Sequence, residues 1–385
     1  MLKVLVAMDS FKGSLSSMEA NQSIAEGFDR TGMDFVVETV PVADGGEGTV
    51  EALVYATGGR FVEKVITGPL GEKVKGRYGI LGGGTAAVVE VAEACGLPLV
   101  SVEQRNPLYT TSYGVGELIL DAIDNGCKEV IIGLGGSSTN DAGVGMLQAL
   151  GFQFFNQEVL SVGFGGVELK NINKVKASSV PEKVRATRFR VACDVHNPLY
   201  GTNGAAYIFG PQKGATPEVV EELDQGLRRF ADVVLEQFGI DLQGISGAGA
   251  AGGLGAAFAG FLQAELESGV ELILGLTRLE EKLNGVNLVI TGEGKLDGQT
   301  SMGKAPAGIA QMAKKHGIPV IALAGDVSEG KPSLYESGIA AYFTVVGGPV
   351  DLNVAMSPEV ASGNLRRTAE QLGRVLGLVD GFGGK

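Results

Sequence analysis

Short apolar runs that break off into glycine and acid limit what this chain can fold into more than any other feature. LKVLVAM (residues 2–8) ends in Asp9-Ser10, the run from Phe35 to Val40 ends in PVADGGEGT, EVIIG ends in LGGSSTND, RFRVA ends in CDV, and LVIT (288–291) ends in GEGKLDGQTSMGK. Each run has strand length and apolar or β-branched character, and a turn with glycine or acid closes it. In an open parallel sheet the crevice beyond the strand ends lies beside helix amino termini, where unpaired N–H groups favour anions. The last of these strand ends is the most crowded, with Glu293, Lys295, Asp297, Gln299, Thr300 and Lys304 following the strand as a turn before a helix that starts near Pro306. Packing alone does not explain so many polar and charged groups between apolar segments.

Two amino-terminal strands and three carboxy-terminal ones share this grammar. A flavodoxin-like order 2-1-3-4-5 sets the first strand beside the third, which brings Asp9-Ser10 next to Gly292-Glu293 at the switch point. Between them the pattern changes, because FVEKVI, a GPLG turn, EKVKGRYGI and TAAVVEV read as three antiparallel strands with period-two character. The expected fold is therefore α/β in two domains: a discontinuous flavodoxin-like parallel-sheet domain of residues 1–60 and 286–385, and a mixed α/β domain inserted at 61–285. A chain of 385 residues, 44% of them hydrophobic, has the material for two such cores. Within the insertion, Val220, Leu223, Leu227, Phe230 and Val234 recur at helical spacing after Thr216-Pro217 and before Gly239, which predicts a capped helix over 217–237.

A net charge of −13 argues against a general nucleic-acid binder and against attraction to anionic membranes, so positive contacts to an anionic ligand must be local. Three dispersed cysteines, Cys95, Cys127 and Cys193, make no C-x-x-C pair and suggest thiols in a reducing compartment. His196 and His316 are too few for a histidine-built zinc site. The amino-terminal apolar run is short for a signal peptide, and the uncharged stretch 245–262 is mostly glycine and alanine, which inserts weakly into a bilayer. A soluble cytoplasmic protein is expected.

Two glycine motifs carry little. G-x-G-x-x-G at Gly247, Gly249 and Gly252 follows polar DLQGIS instead of a strand, and G-x-x-x-x-G-K ending at Lys304 continues with Ala305 where a Walker motif needs a hydroxyl. GLGGSSTND is more informative. Gly135 and Gly136 let backbone approach a phosphate, Ser137, Ser138 and Thr139 can donate hydrogen bonds, and Asn140 and Asp141 sit where a helix cap or a metal-water ligand would be. The carboxylates Asp9, Asp44, Glu47, Asp194, Glu293 and Asp297 each could be a cap or a surface charge. Together with Lys12, Arg105, Lys213 and Lys304 on strand-terminal loops, they suggest a site that handles a metal ion and phosphate.

DSFKGSLS (9–16), PVADGGEGT (41–49), TGPLG (67–71), RNPLYTTSYGVGELI (105–119), GGSSTND (135–141), DVHNPLYGTNGA (194–205), FGPQKGA (209–215), GAGAAGGLGA (247–256) and TGEGKLDGQTSMGKAP (291–306) resemble, in order, the signature blocks of the bacterial glycerate kinase, type I, family. The resemblance implies a flavodoxin-like domain with an inserted restriction-enzyme-like domain, and ATP- and magnesium-dependent phosphorylation of D-glycerate, usually to 2-phosphoglycerate, in a cleft between the domains. Against the family pattern, Met8 stands where proline is common, Ser138 and Ala142 stand for the more usual alanine and glycine, and Lys295 stands for a frequent arginine, which removes a bidentate fork.

On this reading Asp194 is the first choice for the base that takes the hydroxyl proton and Asp297 the second, Lys12 and Lys304 neutralise phosphate, and Arg105 or Lys295 grips the glycerate carboxylate. Asp9, Asp44 and Glu293 are the candidate metal ligands. Ser10, Gly135, Gly136, Ser137, Ser138, Asn140, Lys213, Gln299 and Thr300 complete the expected substrate and phosphate contacts. The rivals are a dinucleotide-dependent dehydrogenase of a hydroxy acid and a non-catalytic small-acid binder, and the sequence leaves monomer and homodimer open.

Overall fold

The computed structural model describes residues 1–298, 304–327 and 332–382, so Gln299 and Thr300 lie outside the described residues. The chain divides into two compact units, one of Met1–Asp44, Glu51–Thr57 and Val270–Lys385, the other of Gly45–Val50 and Gly58–Gly269.

Among the described residues of the first unit, five strands form an all-parallel sheet. They run across it as Phe35–Thr39, Leu2–Met8, Leu288–Leu296, Val320–Val327 and Ile339–Thr344, the 2-1-3-4-5 order expected. Both faces are buried. Leu5, Ala7, Val289 and Ala322 pack with Ile309 and Ala313 on one side, while Val4, Val6, Ile290 and Leu323 pack with Ile24, Phe28 and Leu365 on the other. The helix Ser17–Asp29 starts at a capping box, with Ser16 accepting from the Glu19 N–H and the Glu19 carboxylate accepting from the Ser16 N–H.

The third strand differs from expectation. It continues through Leu296, so Glu293 and Lys295 are strand residues and not part of a turn. The reason is the neighbouring strand, which extends the ladder through Glu293↔Ala324 and Lys295↔Asp326. The stretch 270–285, expected inside the insertion, belongs to the first unit because Val270, Leu274, Leu279 and Leu283 join the core that holds Leu5 and Ala7.

Six strands form the main sheet of the second unit among the described residues. Glu265–Glu267, Arg188–Ala192, Glu129–Gly133 and Ala86–Glu90 are parallel in that order, and Lys73–Ile80 and Arg60–Thr67 continue antiparallel, so the three antiparallel strands read from the sequence are present. The helix Pro217–Phe238 begins at Thr216, which accepts from the Val219 N–H, and stops at Gly239 with φ 69°. It buries Leu223, Leu227, Phe230 and Val234.

The segment before Gly247 forms no strand and the glycine run itself is a tight Ala250–Gly253 turn, so the context a dinucleotide motif needs is missing. A Cβ on Gly252, at φ +71°, would collide with the Thr139 carbonyl, which shows that the run packs backbone to backbone against the GGSSTND loop. Among the described residues no helix is long and apolar enough to cross a membrane.

Candidate active site

In the first unit the site grows from the carboxyl ends of the two central strands. The Asp9 N–H donates to the Gly292 carbonyl at 2.9 Å, which places Asp9 beside Gly292-Glu293 as the strand order requires. A Cβ on Gly292 would strike the Leu323 carbonyl, so only glycine allows the strands this approach. Ser17 and Asn21 brace the loops from the following helix. Ser17 Oγ donates to the Met8 carbonyl at 2.6 Å and accepts from the Val42 N–H at 3.0 Å, and Asn21 Oδ1 accepts from the Met8 N–H at 2.9 Å. Sequence reasoning missed both, because each looks like an ordinary helix-face polar residue until its partners are known.

Asp9 is 1% exposed. Burial pushes its carboxyl up to about 8 and repulsion from Asp44 adds to this, while the Ser10 N–H, 2.6 Å from Oδ1, and Lys12 pull it down. Lys12 Nζ lies 3.1 Å from Asp44 Oδ2. Burial alone would lower the Lys12 ammonium, but Asp44, Asp9 and Glu293 outweigh it and raise it. Lys304 Nζ lies 3.5 Å from Glu293 Oε2, and Lys295 Nζ 3.1 Å from Asp326 Oδ2. Asp9, Lys12, Asp44, Glu293 and Lys304 thus form one network of alternating charge. Ser10, Lys12, Glu293, Lys295, Asp297 and Lys304 line one cavity of about 490 Å³, a size usual for small-molecule sites.

In the second unit Gly135 and Gly136 stand exposed at the end of the Glu129–Gly133 strand, with Gly136 at φ +74°. The residues after them turn inward. Lys213 is 2% exposed and its Nζ donates to Ser137 Oγ at 2.9 Å and to the Thr139 carbonyl at 2.6 Å, and burial lowers its ammonium to about 8. Ser138 is tied to the Cys95 carbonyl through both N–H and Oγ, at 2.8 and 2.9 Å. Asp141 accepts from the Ser112 N–H and Oγ, both at 2.8 Å, and from the Gly143 and Gly145 N–H groups, so it caps the following helix from within. Lys213, Ser138 and Asp141 therefore shape the loop from beneath.

Asn140 is fully buried, and neither its Oδ1 nor its Nδ2 has a hydrogen-bond partner among the described residues. Arg105 lies against Gly214, its backbone where a Cβ on that glycine would be, and its Nε points to the Val100 carbonyl at 3.4 Å. Asp194 is exposed beyond the adjacent Arg188–Ala192 strand, and its Oδ1 accepts from the Gly269 N–H at 3.0 Å. The second unit thus gathers Arg105, the 135–141 loop and Lys213, and presents Asp194 at a neighbouring strand end.

Carboxylates interleaved with lysines at the switch point of a parallel α/β sheet are the equipment of an enzyme that moves phosphoryl groups. Comparison with known proteins narrows this class. Residues 4–377 match the model of the glycerate kinase family. The chain is 48% identical to the glycerate 2-kinase of Escherichia coli (strain K12) over 90% of this chain and 91% of that one. It is 46% identical to the glycerate kinase of Bacillus subtilis (strain 168) over 96% and 97%. A crystal structure of a Salmonella typhimurium LT2 protein assigned as glycerate kinase 2 superposes with a TM-score of 0.90 at 43% identity, covering 98% of this chain and 99% of that one. The chain belongs to the glycerate kinase family and is a kinase.

Proposed function

We propose that this protein transfers the γ-phosphoryl group of ATP to the 2-hydroxyl of D-glycerate, giving 2-phospho-D-glycerate and ADP. The observation that carries the reading is the charge network of Asp9, Lys12, Asp44, Glu293 and Lys304 at the central strand ends of a glycerate kinase family member. The name of the Escherichia coli relative supports the 2-position. The reading places the protein in the cytoplasm, where the free thiols of Cys95, Cys127 and Cys193 would persist.

Magnesium fits this network. Among the described residues no group of three or more histidine, cysteine, aspartate or glutamate side chains is arranged to hold a metal by itself. Magnesium does not need one, because it takes one or two carboxylates and fills its octahedron with water and phosphate oxygens. Buried Asp9 beside Asp44 supplies such a pair, with Glu293 close enough to add to the repulsion. A bound magnesium ion would neutralise charge on the phosphates.

The chain's own residues do the rest. Lys12 and Lys304 meet the phosphate charge, and Arg105 or Lys295 holds the glycerate carboxylate. Asp194 takes the proton from the 2-hydroxyl as it attacks phosphorus, with Asp297 the second candidate. Incubating the protein with D-glycerate, ATP and magnesium and following ADP tests the activity. Enolase added to the products separates the isomers, since it consumes 2-phosphoglycerate and leaves 3-phosphoglycerate. No ADP above the glycerate-free control rejects the reading, and a product that enolase ignores rejects the 2-position.

A further inference from the structure

The cavity lined by Lys12, Glu293 and Lys304 has a second kind of wall. It crosses the carboxyl ends of four adjacent strands, from Ser10-Lys12 and Glu293-Lys295 through Gly325-Asp326 to Val345-Val346 beyond the edge strand. At about 4.8 Å per strand, the first and last of these lie roughly 14 Å apart. Charge is concentrated toward the first two. Toward the edge strand the lining is apolar, with Val345, Leu352, Ala355 and Met356. Leu352 is 69% exposed and Met356 36%, and Met356 Cε reaches back over the Gly13 turn, 3.2 Å from where a Cβ on that glycine would be.

Glycerate has no use for such a wall. It is a three-carbon acid with two hydroxyls, and every part of it is better served by hydrogen bonds. A purine ring has the opposite needs, since its faces are apolar and only its edge takes hydrogen bonds. One polar group stands among the apolar lining. Asn364 is 8% exposed, and its Oδ1 accepts from Arg367 Nη2 at 2.9 Å, which leaves the amide nitrogen as the donor for a ring nitrogen. Ser10 Oγ and Ser14 Oγ, also in the lining, are buried without a hydrogen-bond partner among the described residues.

We propose that this compartment of the first unit binds the purine nucleoside of the phosphoryl donor against Val345, Leu352, Ala355 and Met356, with the phosphates running across the strand ends toward Lys12 and Lys304. The inference rests on the kinase reading and adds where the nucleotide lies and what recognises its base. Gly325 and Gly294, both in the lining, pack backbone to backbone, since a Cβ on Gly325 would lie 2.8 Å from the Gly294 carbonyl.

Ala355→Trp fills the slot from a half-buried position on a short helix and leaves the charge network intact. The expected result is a KM for ATP raised by roughly tenfold or more, the loss of about 1.4 kcal/mol of binding. The KM for D-glycerate and the melting temperature should stay close to those of the parent. Photolabelling of the parent protein with 8-azido-ATP, followed by peptide mapping, is independent of any variant and should mark the segment 345–361. An unchanged KM for ATP in the variant, or label confined to the second unit, overturns the proposal. The two readings fail separately: ADP formation from D-glycerate with label elsewhere removes the compartment and keeps the activity. Label on 345–361 without glycerate-dependent ADP removes the activity and keeps the compartment.

Discussion

Two acids in the second unit show how far residue type underdetermines residue role. Asp194 reaches the surface at a strand end, and the Gly269 N–H holds its Oδ1 in place. Asparagine keeps that acceptor and removes only the basicity, so Asp194→Asn should stay folded by circular dichroism while turnover falls by about 10²–10⁴. Turnover near that of the parent would transfer the role of base to Asp297. Glu90 is the contrasting case. It is 7% exposed and accepts the Val50 N–H at 2.8 Å, and burial pushes its carboxyl up to about 7 although that N–H pulls it down.

The raised value has a sign that can be measured. The folded protein keeps the Glu90 proton up to about pH 7, whereas the unfolded chain releases it near 4.5. Between those limits the unfolded state binds fewer protons, so this group makes stability fall as pH rises, by about 1.4 kcal/mol per pH unit. Glu90→Gln removes the titration and keeps an acceptor for Val50. Urea midpoints taken from pH 4.5 to 7 should therefore fall less steeply in the variant, and parallel profiles would show that Glu90 is ionised in the folded protein throughout.

At the scale of elements, the GAGAAGG run and the GGSSTND loop act as one packed pair. Gly252 is left-handed and a Cβ would strike the Thr139 carbonyl, so Gly252→Ala adds backbone strain of about 1–2 kcal/mol to an overpacking penalty of similar size. Urea denaturation should show a loss of roughly 2–4 kcal/mol. Ala142, across the same contact, sits at φ +52°. That left-handed backbone is one glycine adopts without steric cost. Ala142→Gly relieves about 1–2 kcal/mol of strain and gives up a buried methyl worth about 0.8 kcal/mol, so it should be neutral to mildly stabilising. A loss above about 1 kcal/mol would mean that the methyl contributes more packing than the strain removes.

For the whole molecule, continuity in sequence decides which part can stand alone. All six strands of the second unit's main sheet fall between Arg60 and Glu267, while the central strand Leu2–Met8 of the first unit needs Leu288–Leu296 as its neighbour. Residues 58–269 expressed alone should give near-ultraviolet dichroism and a cooperative urea transition, weaker than in the full chain because Glu90 loses the Val50 N–H. Residues 1–57 alone should remain unfolded. A non-cooperative 58–269 fragment would show that the second unit depends on the first for its core.

By itself the sequence determined the strands, their acid-bearing ends, the five-strand order that sets Asp9 beside Gly292, and the capped helix over 217–237. Apolar period, turn residues and caps are local signals, and these elements obey them. Only the tertiary structure decided that Lys213 lies buried under Ser137 and Thr139, that Ser138 and Asp141 brace their loop from within, and that Ser17 and Asn21 fix the strand ends. Glu293 and Lys295 became strand residues through a neighbour that no local pattern announces. The physical reason is that a polar side chain's role is set by its hydrogen-bond partner and its burial. Lys213 meets Ser137 across 76 residues of chain, a distance over which periodicity carries no information.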